Sequence, residues 1–202
     1  MNRSIFVCGI GTDVGKTVVS AILVKALKAD YFKPIQAGDL EFSDTDRVRD
    51  WVGESESRYF ENSYALTAPM SPHAAAKIDQ VHINLTEIKR PSTTNTLIVE
   101  AAGGLMVPLN DCDVVADLIQ AEDEVVLVSR NYLGSINHTL LSVYYLQSKG
   151  VEIKGIVFNG PSNAETEHII LEKTGCECLG RIAEEKEINQ EIIAKYASKF
   201  EL

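Results

Sequence analysis

"SIFVCGIGTDVGKTVVSAILVKAL", residues 4–27, decides how the rest of the chain is read. An apolar run ends at Gly9, a glycine-bearing loop follows, and Gly15-Lys16-Thr17 opens a stretch whose apolar residues recur with helical spacing. Strand, loop and helix in that order make a phosphate cradle. Glycines let successive backbone N–H groups turn inward toward phosphate oxygens, and the helix N-terminus adds the positive end of its dipole. Lys16 is then placed to reach the β- and γ-phosphates, and the Thr17 hydroxyl to ligate Mg2+. The spacing departs from the strict G-x-x-x-x-G-K-[ST] pattern, because Ile10 stands where a glycine is required and five residues separate Gly9 from Gly15. Asp13 is unusual in such a loop. Its carboxylate repels phosphate unless it faces a cationic ligand.

Outward from this stretch, short β-rich runs alternate with helical periods. Residues 4–9, 31–35, 96–101, 124–129, 153–159 and 176–182 read as strands, most of them apolar throughout, as expected of strands covered on both faces. Helices are expected over 15–29, 44–52, 84–90, 113–120, 135–149, 163–174 and 184–198, with a capping box at Asn84–Glu87 and Asp113 as an N-cap. The alternation predicts an α/β fold, a doubly wound and mostly parallel sheet with helices on both faces, like that of P-loop NTPases. No repeat, low-complexity tract or linker divides the chain, so residues 1–202 are expected to form one domain. In such sheets ligands bind beyond the carboxyl ends of the strands, where this chain gathers its loops "GIGTDVGKT", "KPIQAGD", "EAAGG", "SRNYLGSINH" and "NGPSN".

Composition narrows the partners. Nineteen Lys and Arg against 29 Asp and Glu give a net charge of −10, which offers no basic face for nucleic acid. An anion site must therefore be local. Neither a charged-then-apolar leader nor an apolar run of membrane-spanning length is present, so no membrane association and a cytoplasmic location are expected. Cys8, Cys112, Cys176 and Cys178 form no C-x-x-C pair and the four histidines no ligand spacing, which argues against a disulfide framework or structural zinc. "CEC" at 176–178 puts two thiols on one strand face, suggesting packing.

Two carboxylates and one lysine go beyond a generic phosphate loop. Glu100 ends the apolar run "TLIVE" and suits a nucleotide-bound Mg2+. Asp44 in "FSDTD" is a second candidate, with Asp46 competing and a helix N-cap as the alternative role. Lys33, fixed by Pro34, stands where a second cation could stabilise an anion formed near the γ-phosphate; an exposed strand-end lysine is the plainer reading.

"GIGTDVGKT", "KPIQAG", "SPHAAA" (71–76), "VEAAGG" (99–104), "VPL" (107–109) and "LGSINHTLL" (133–141) occur in the order found in dethiobiotin synthetases, and from residue 4 to about 160 the chain resembles that family. The resemblance includes the G-x5-G-K-T loop spacing. It implies closure of a cyclic urea on 7,8-diaminononanoate with CO2, ATP as co-substrate and Mg2+ as cofactor, by way of a carbamate and a carbamic-phosphoric anhydride, in a homodimer. Residue by residue, it implies that Asp13, Val14, Gly15, Lys16, Thr17 and Val18 wrap ATP, that Asn159 reads adenine, and that Lys16 and Lys33 are catalytic. It further implies that Thr12, Asp13, Lys33, Ala37 and Gly103 meet the substrate. Ser135, Ile136 and Asn137 would take the substrate carboxylate across the dimer interface, and Thr17, Asp44 and Glu100 would hold Mg2+. The chain departs from the family pattern at Ala37, where serine is common, at Ala101, and in lacking a late proline near "GRIAEEKE", which leaves nucleobase selectivity open.

Two other functions share parts of this pattern. Partitioning ATPase switches carry a lysine early in the loop where this chain has Gly11, and often end in a basic amphipathic helix, whereas "EEKEINQEIIAKYASKFEL" is acidic. A small-molecule kinase would leave phosphate on its product.

Overall fold

The computed structural model describes residues 3–200. Among the described residues nine strands form: β1 Ser4–Gly9, β2 Asp30–Phe32, β3 Ile35–Ala37, β4 Tyr59–Phe60, β5 Tyr64–Leu66, β6 Leu97–Gly104, β7 Asp123–Arg130, β8 Ile153–Asn159 and β9 Cys178–Ile182. The helices are α1 Lys16–Leu27, α2 Asp44–Val52, α3 Pro72–Ile78, α4 Ser135–Ser148, α5 Ala164–Thr174 and α6 Gln190–Ala197. Seven strands join in one sheet, ordered β4-β2-β6-β1-β7-β8-β9, and every pairing in it is parallel. β3 and β5 pair separately, also in parallel.

The apolar strands are apolar because both faces are covered. Along β1, Ile5 and Val7 face a cluster built from α1, α2 and α6, while Phe6 and Cys8 face one built from α3, α4 and α5. Each fully buried aliphatic side chain here stabilises the fold by roughly 1.5–3 kcal/mol. α6 is among them: Ile193 and Tyr196 are buried against the α1 side, so its apolar stripe is already used within the molecule.

Several expected elements take a different form. The run 31–35 is not one strand. Pro34 lacks the N–H that would continue a ladder, so β2 stops at Phe32, the chain leaves the main sheet, and β3 starts at Ile35. The helices expected at 84–90 and 113–120 shrink to 3-10 turns at Leu85–Glu87 and Val115–Leu118. Asn84 caps the first through Thr86 N, but Glu87 does not close a box: the Tyr64 hydroxyl lies between them, accepting from Asn84 N at 3.0 Å and donating to Glu87 at 3.0 Å. Asp113 is not a cap, since Val114 holds that position and Asp113 accepts from Asn110 Nδ2 at 2.7 Å. The last helix starts at Gln190 rather than 184, where Asn189 accepts from Ile192 N. β9 starts at Cys178, which is exposed; of the 176–178 pair, Cys176 alone packs on the core. β4, β5 and α3 had no distinct signal in the periodicity, because the strands are two and three residues long and α3 only seven.

Candidate active site

The carboxyl ends of β1, β2 and β6 open into a cavity of about 700 Å3. β1 delivers the glycine loop to it. Gly15, at φ 96°, caps α1 in the left-handed region, and no side chain caps that helix N-terminus. A Cβ on Gly15 would lie 2.1 Å from Asn159 Nδ2, so only glycine lets the loop pass under that amide. Asn159, at the end of β8, donates from Nδ2 to Val14 O at 2.9 Å and so braces the loop from the far side. Asp13 also sits at positive φ, 55°, a geometry that Asp tolerates better than most residues.

Lys16 curls back onto its own loop, donating to Gly11 O at 2.8 Å. Burial, with the Lys33 ammonium nearby, pushes its pKa down to about 8. Lys33, released from the sheet at the β2 end, points into the same cavity and donates to Glu100 Oε1 at 2.9 Å and to Asp44 Oδ2. Burial works against its charge, yet Glu100 and Asp44 outweigh it and hold the ammonium above the usual lysine value. Thr17 Oγ1 donates to the same Glu100 oxygen at 2.9 Å. Glu100 is fully buried, and its other oxygen accepts from the Tyr31 hydroxyl at 2.9 Å. Burial first, and then the charge of Glu100, keep that phenol well above its ordinary pKa.

The cap of α2 sets Asp44 and Asp46 apart. Ser43 is the N-cap, and Asp46 closes the box by accepting from Ser43 N at 3.0 Å and from its Oγ at 2.6 Å, with Arg49 at 2.8 Å on its other oxygen. Asp46 is thereby engaged in folding the helix, and Asp44 is left facing Lys33. Gln36 secures that arrangement, accepting from Asp44 N at 3.3 Å and donating to Gly38 O at 3.0 Å.

Thr12, Asp13, Gly15, Lys16, Thr17, Val18, Lys33, Ala37, Asp44, Glu100 and Gly103 all line this cavity. Gly103 has φ 77°, with Val107 Cγ2 only 3.0 Å from where a Cβ would stand. The side chain of Val14 does not line the cavity; it is core, and its carbonyl carries the Asn159 bond. Ser135, Ile136 and Asn137 do not line it either. They form the first turn of α4, whose N-cap Gly134 has φ 103°, beside a second groove of about 450 Å3 between the α4 residues His138, Leu141 and Tyr145 and the segment 104–108. Gln36, Arg47 and Trp51 are among the lining residues that the sequence did not single out, and Tyr31 reaches the site only through Glu100. Arg47 follows Asp44 at i+3 on α2, the one spacing that pointed to it, and pairs with Asp39 at 3.3 Å while lying over the Phe42 ring.

Chemically, the cavity offers two buried ammonium groups and a helix N-terminus for anions. Thr17, Asp44 and Glu100 add an all-oxygen set of the hard kind that Mg2+ takes. Among the described residues no group of three or more His, Cys, Asp or Glu side chains is arranged to hold a metal. Two carboxylates and a hydroxyl suit instead a cation that shares its shell with phosphate and water.

A protein-family model described as an AAA domain matches residues 3–192. Among curated proteins, the chain is 54% identical over 200 residues to the "ATP-dependent dethiobiotin synthetase BioD" of Christiangramia forsetii, covering 99% of this chain and 97% of that one. It is 51% identical to the protein of the same name from Cytophaga hutchinsonii, covering 98% and 96%, and 42% identical to that of Chlamydia pneumoniae, covering 98% and 89%. Among solved structures, the septum site-determining protein MinD with Mg-ADP from Pyrococcus horikoshii superimposes with a TM-score of 0.64 over 98% of this chain and 96% of that one, at 16% identity. That likeness concerns the fold.

Proposed function

The chain belongs to the ATP-dependent dethiobiotin synthetase family, and we propose that the cavity at the ends of β1, β2 and β6 is where it closes the ring. It is an ATP-dependent ligase of biotin biosynthesis. The observation that carries the site assignment is the position of Lys33, whose ammonium shares one cavity with the phosphate loop and bonds Glu100 at 2.9 Å.

The residues divide the work by charge. ATP lies along residues 13–18, with Lys16 turned from Gly11 O to the phosphates and Asn159 facing the base. Thr17, Asp44 and Glu100 would hold Mg2+, which would supply positive charge against the phosphates. Thr12 and Asp13 meet the amines of 7,8-diaminononanoate; the Asp13 carboxylate then faces a cationic ligand instead of opposing phosphate. One amine takes up CO2 as a carbamate, and Lys33 holds that anion beside the γ-phosphate against their mutual repulsion. The carbamate oxygen attacks phosphorus and ADP leaves. The second amine attacks the carbamoyl carbon and expels phosphate. Ala37 and Gly103 shape the wall around the diamine.

Ser135, Ile136 and Asn137 act in trans, with the α4 N-terminus of one copy receiving the substrate carboxylate in the cavity of the other. Supporting this reading, Ser135 Oγ is buried without a hydrogen-bond partner, Met106 and Leu141 present exposed apolar surface along the neighbouring groove, and Leu133, just before α4, is fully exposed. We also infer that residues 1–202 work as one domain, in the cytoplasm; no helix among the described residues is long and apolar enough to cross a membrane. The test is phosphate release from MgATP and bicarbonate, with and without 7,8-diaminononanoate, followed by mass analysis. Diamine-dependent release with a cyclic urea product is expected. Release indifferent to the diamine refutes the site assignment, and a monomer by sedimentation refutes the role given to Ser135–Asn137.

A further inference from the structure

Glu100 has two carboxylate oxygens in unlike surroundings. Oε1 receives Thr17 Oγ1 and Lys33 Nζ, both at 2.9 Å, and faces the cavity. Oε2 faces the protein interior and receives Tyr31 Oη at 2.9 Å. Tyr31 is fully buried at the middle of β2, paired in register with Ile98 of the neighbouring β6, so the backbone ladder fixes its distance from Glu100. The Tyr59 ring, 6.4 Å away between centroids, closes the outer side. The phenol lines neither the 700 Å3 cavity nor the α4 groove, and its hydrogen bond to Glu100 is its link to the site.

We propose that Tyr31 is a positioning residue that reserves Glu100 Oε2, so that Glu100 serves a nucleotide-bound divalent cation through Oε1 alone. This rests on the reading of Glu100 as a cation-holding carboxylate. The physical reason is rotation. A carboxylate held at one oxygen only can turn about its last torsion and offer both oxygens to one cation. Mg2+ demands near-octahedral geometry at about 2.0–2.1 Å and takes carboxylates through one oxygen, whereas Ca2+ accepts both at about 2.3–2.6 Å. A phenol pinned by the sheet removes the second mode. It sharpens the site for the smaller ion, and it leaves the Lys33 ammonium with a single oxygen to share.

The experiment is Mn2+ binding to the protein–ADP complex, read from the electron paramagnetic resonance signal of free Mn2+, with Ca2+ as competitor and no turnover involved. For Tyr31→Phe, Mn2+ affinity is expected to fall about tenfold, as for other residues that orient a metal ligand. Ca2+ affinity falls less, so the preference for Mn2+ over Ca2+ narrows several-fold, while ADP binding in EDTA stays within about twofold. Installing 4-aminophenylalanine at position 31, which keeps a donor in place, restores the preference; it also serves if Tyr31→Phe folds poorly. Unchanged Mn2+ affinity and preference in Tyr31→Phe overturn the inference. So does an equal loss in Tyr59→Phe, which would mark the effect as a general response to deleting a buried hydroxyl beside β2. Glu100→Gln separates the levels: if it loses Mn2+ and Tyr31→Phe does not, the inference alone fails. If Glu100→Gln keeps Mn2+ affinity, the metal role of Glu100 fails first.

Discussion

Replacing Lys33 by Met keeps an apolar stem of similar length and removes the ammonium from between Glu100 and Asp44. At 2.9 Å from Glu100, the attraction amounts to about 6 kcal/mol at an effective dielectric constant near 20, before desolvation is subtracted. Removing one partner of a buried pair leaves the other charge stranded, which costs about 3–5 kcal/mol. For a chain of this size each kcal/mol moves the melting temperature by about 2–4 °C, so metal-free Lys33→Met should melt roughly 6–20 °C below the parent. Mg2+ with ADP should restore part of that loss, because a dication then sits against the same carboxylates. Turnover is a separate loss. A cation aimed at the transferring phosphoryl group contributes on the order of 100- to 1,000-fold in kcat, with the KM for ATP held within about threefold. Differential scanning fluorimetry with and without MgADP, and diamine-dependent phosphate release, read the two effects. A variant that melts within about 2 °C of the parent and turns over within about threefold of it would refute the reasoning, since both numbers follow from the one buried ammonium.

Other perturbations test the surroundings of that cavity. Gly15→Ala forces an L side chain into φ 96° and drives a Cβ to 2.1 Å from Asn159 Nδ2; ATP affinity by calorimetry should drop at least about tenfold, and an affinity within about twofold of the parent contradicts the role given to the glycine. Lys16 holds its proton below about pH 8 and phosphate binding needs that proton, so ATP affinity should decline above pH 8, by up to about tenfold per unit; a flat calorimetric profile from pH 7 to 10 contradicts the assignment. The lowered folded-state value has a matching sign for stability, since the unfolded chain binds more protons above pH 8 and the Lys16 contribution therefore grows with pH toward the ordinary lysine value. Asp30, buried under bonds from Thr93, Asn95 and Arg58, ties β2 to the segment before β6; Asp30→Ala should cost about 3 kcal/mol in urea unfolding, and a loss under about 0.5 kcal/mol counts against that role. Burial opposes the Asp30 charge, yet these bonds hold its pKa below the usual carboxylate value, so the contribution is present at neutral pH and is lost as pH falls through the folded value.

Residues 4–27 determined the phosphate loop, and the alternation of apolar runs with helical periods along the chain determined the fold class, because strand, glycine loop and helix start are consequences of local covalent geometry and burial pattern. Glu100 was legible as a carboxylate ending an apolar run, and Lys33 as a lysine held by proline. The break of the expected strand follows from Pro34, a residue inside its own window, whereas the shrinkage of two helices to 3-10 turns and the short β4–β5 segment were not legible, since each depends on neighbours outside its window. The same holds for the choice of Asp44 over Asp46. Both look alike in "FSDTD", and only the geometry of the α2 cap shows which carboxylate is engaged with Ser43. Tyr31 reads simply as a strand residue. Its meaning comes from a bond to a residue 69 positions away, just as Lys33 meets Glu100 across 67 positions and Thr17 meets it across 83. The strand order that puts β6 between β2 and β1 makes all three contacts at once. No local pattern encodes that order, because it is settled by which apolar faces the whole chain can bury together.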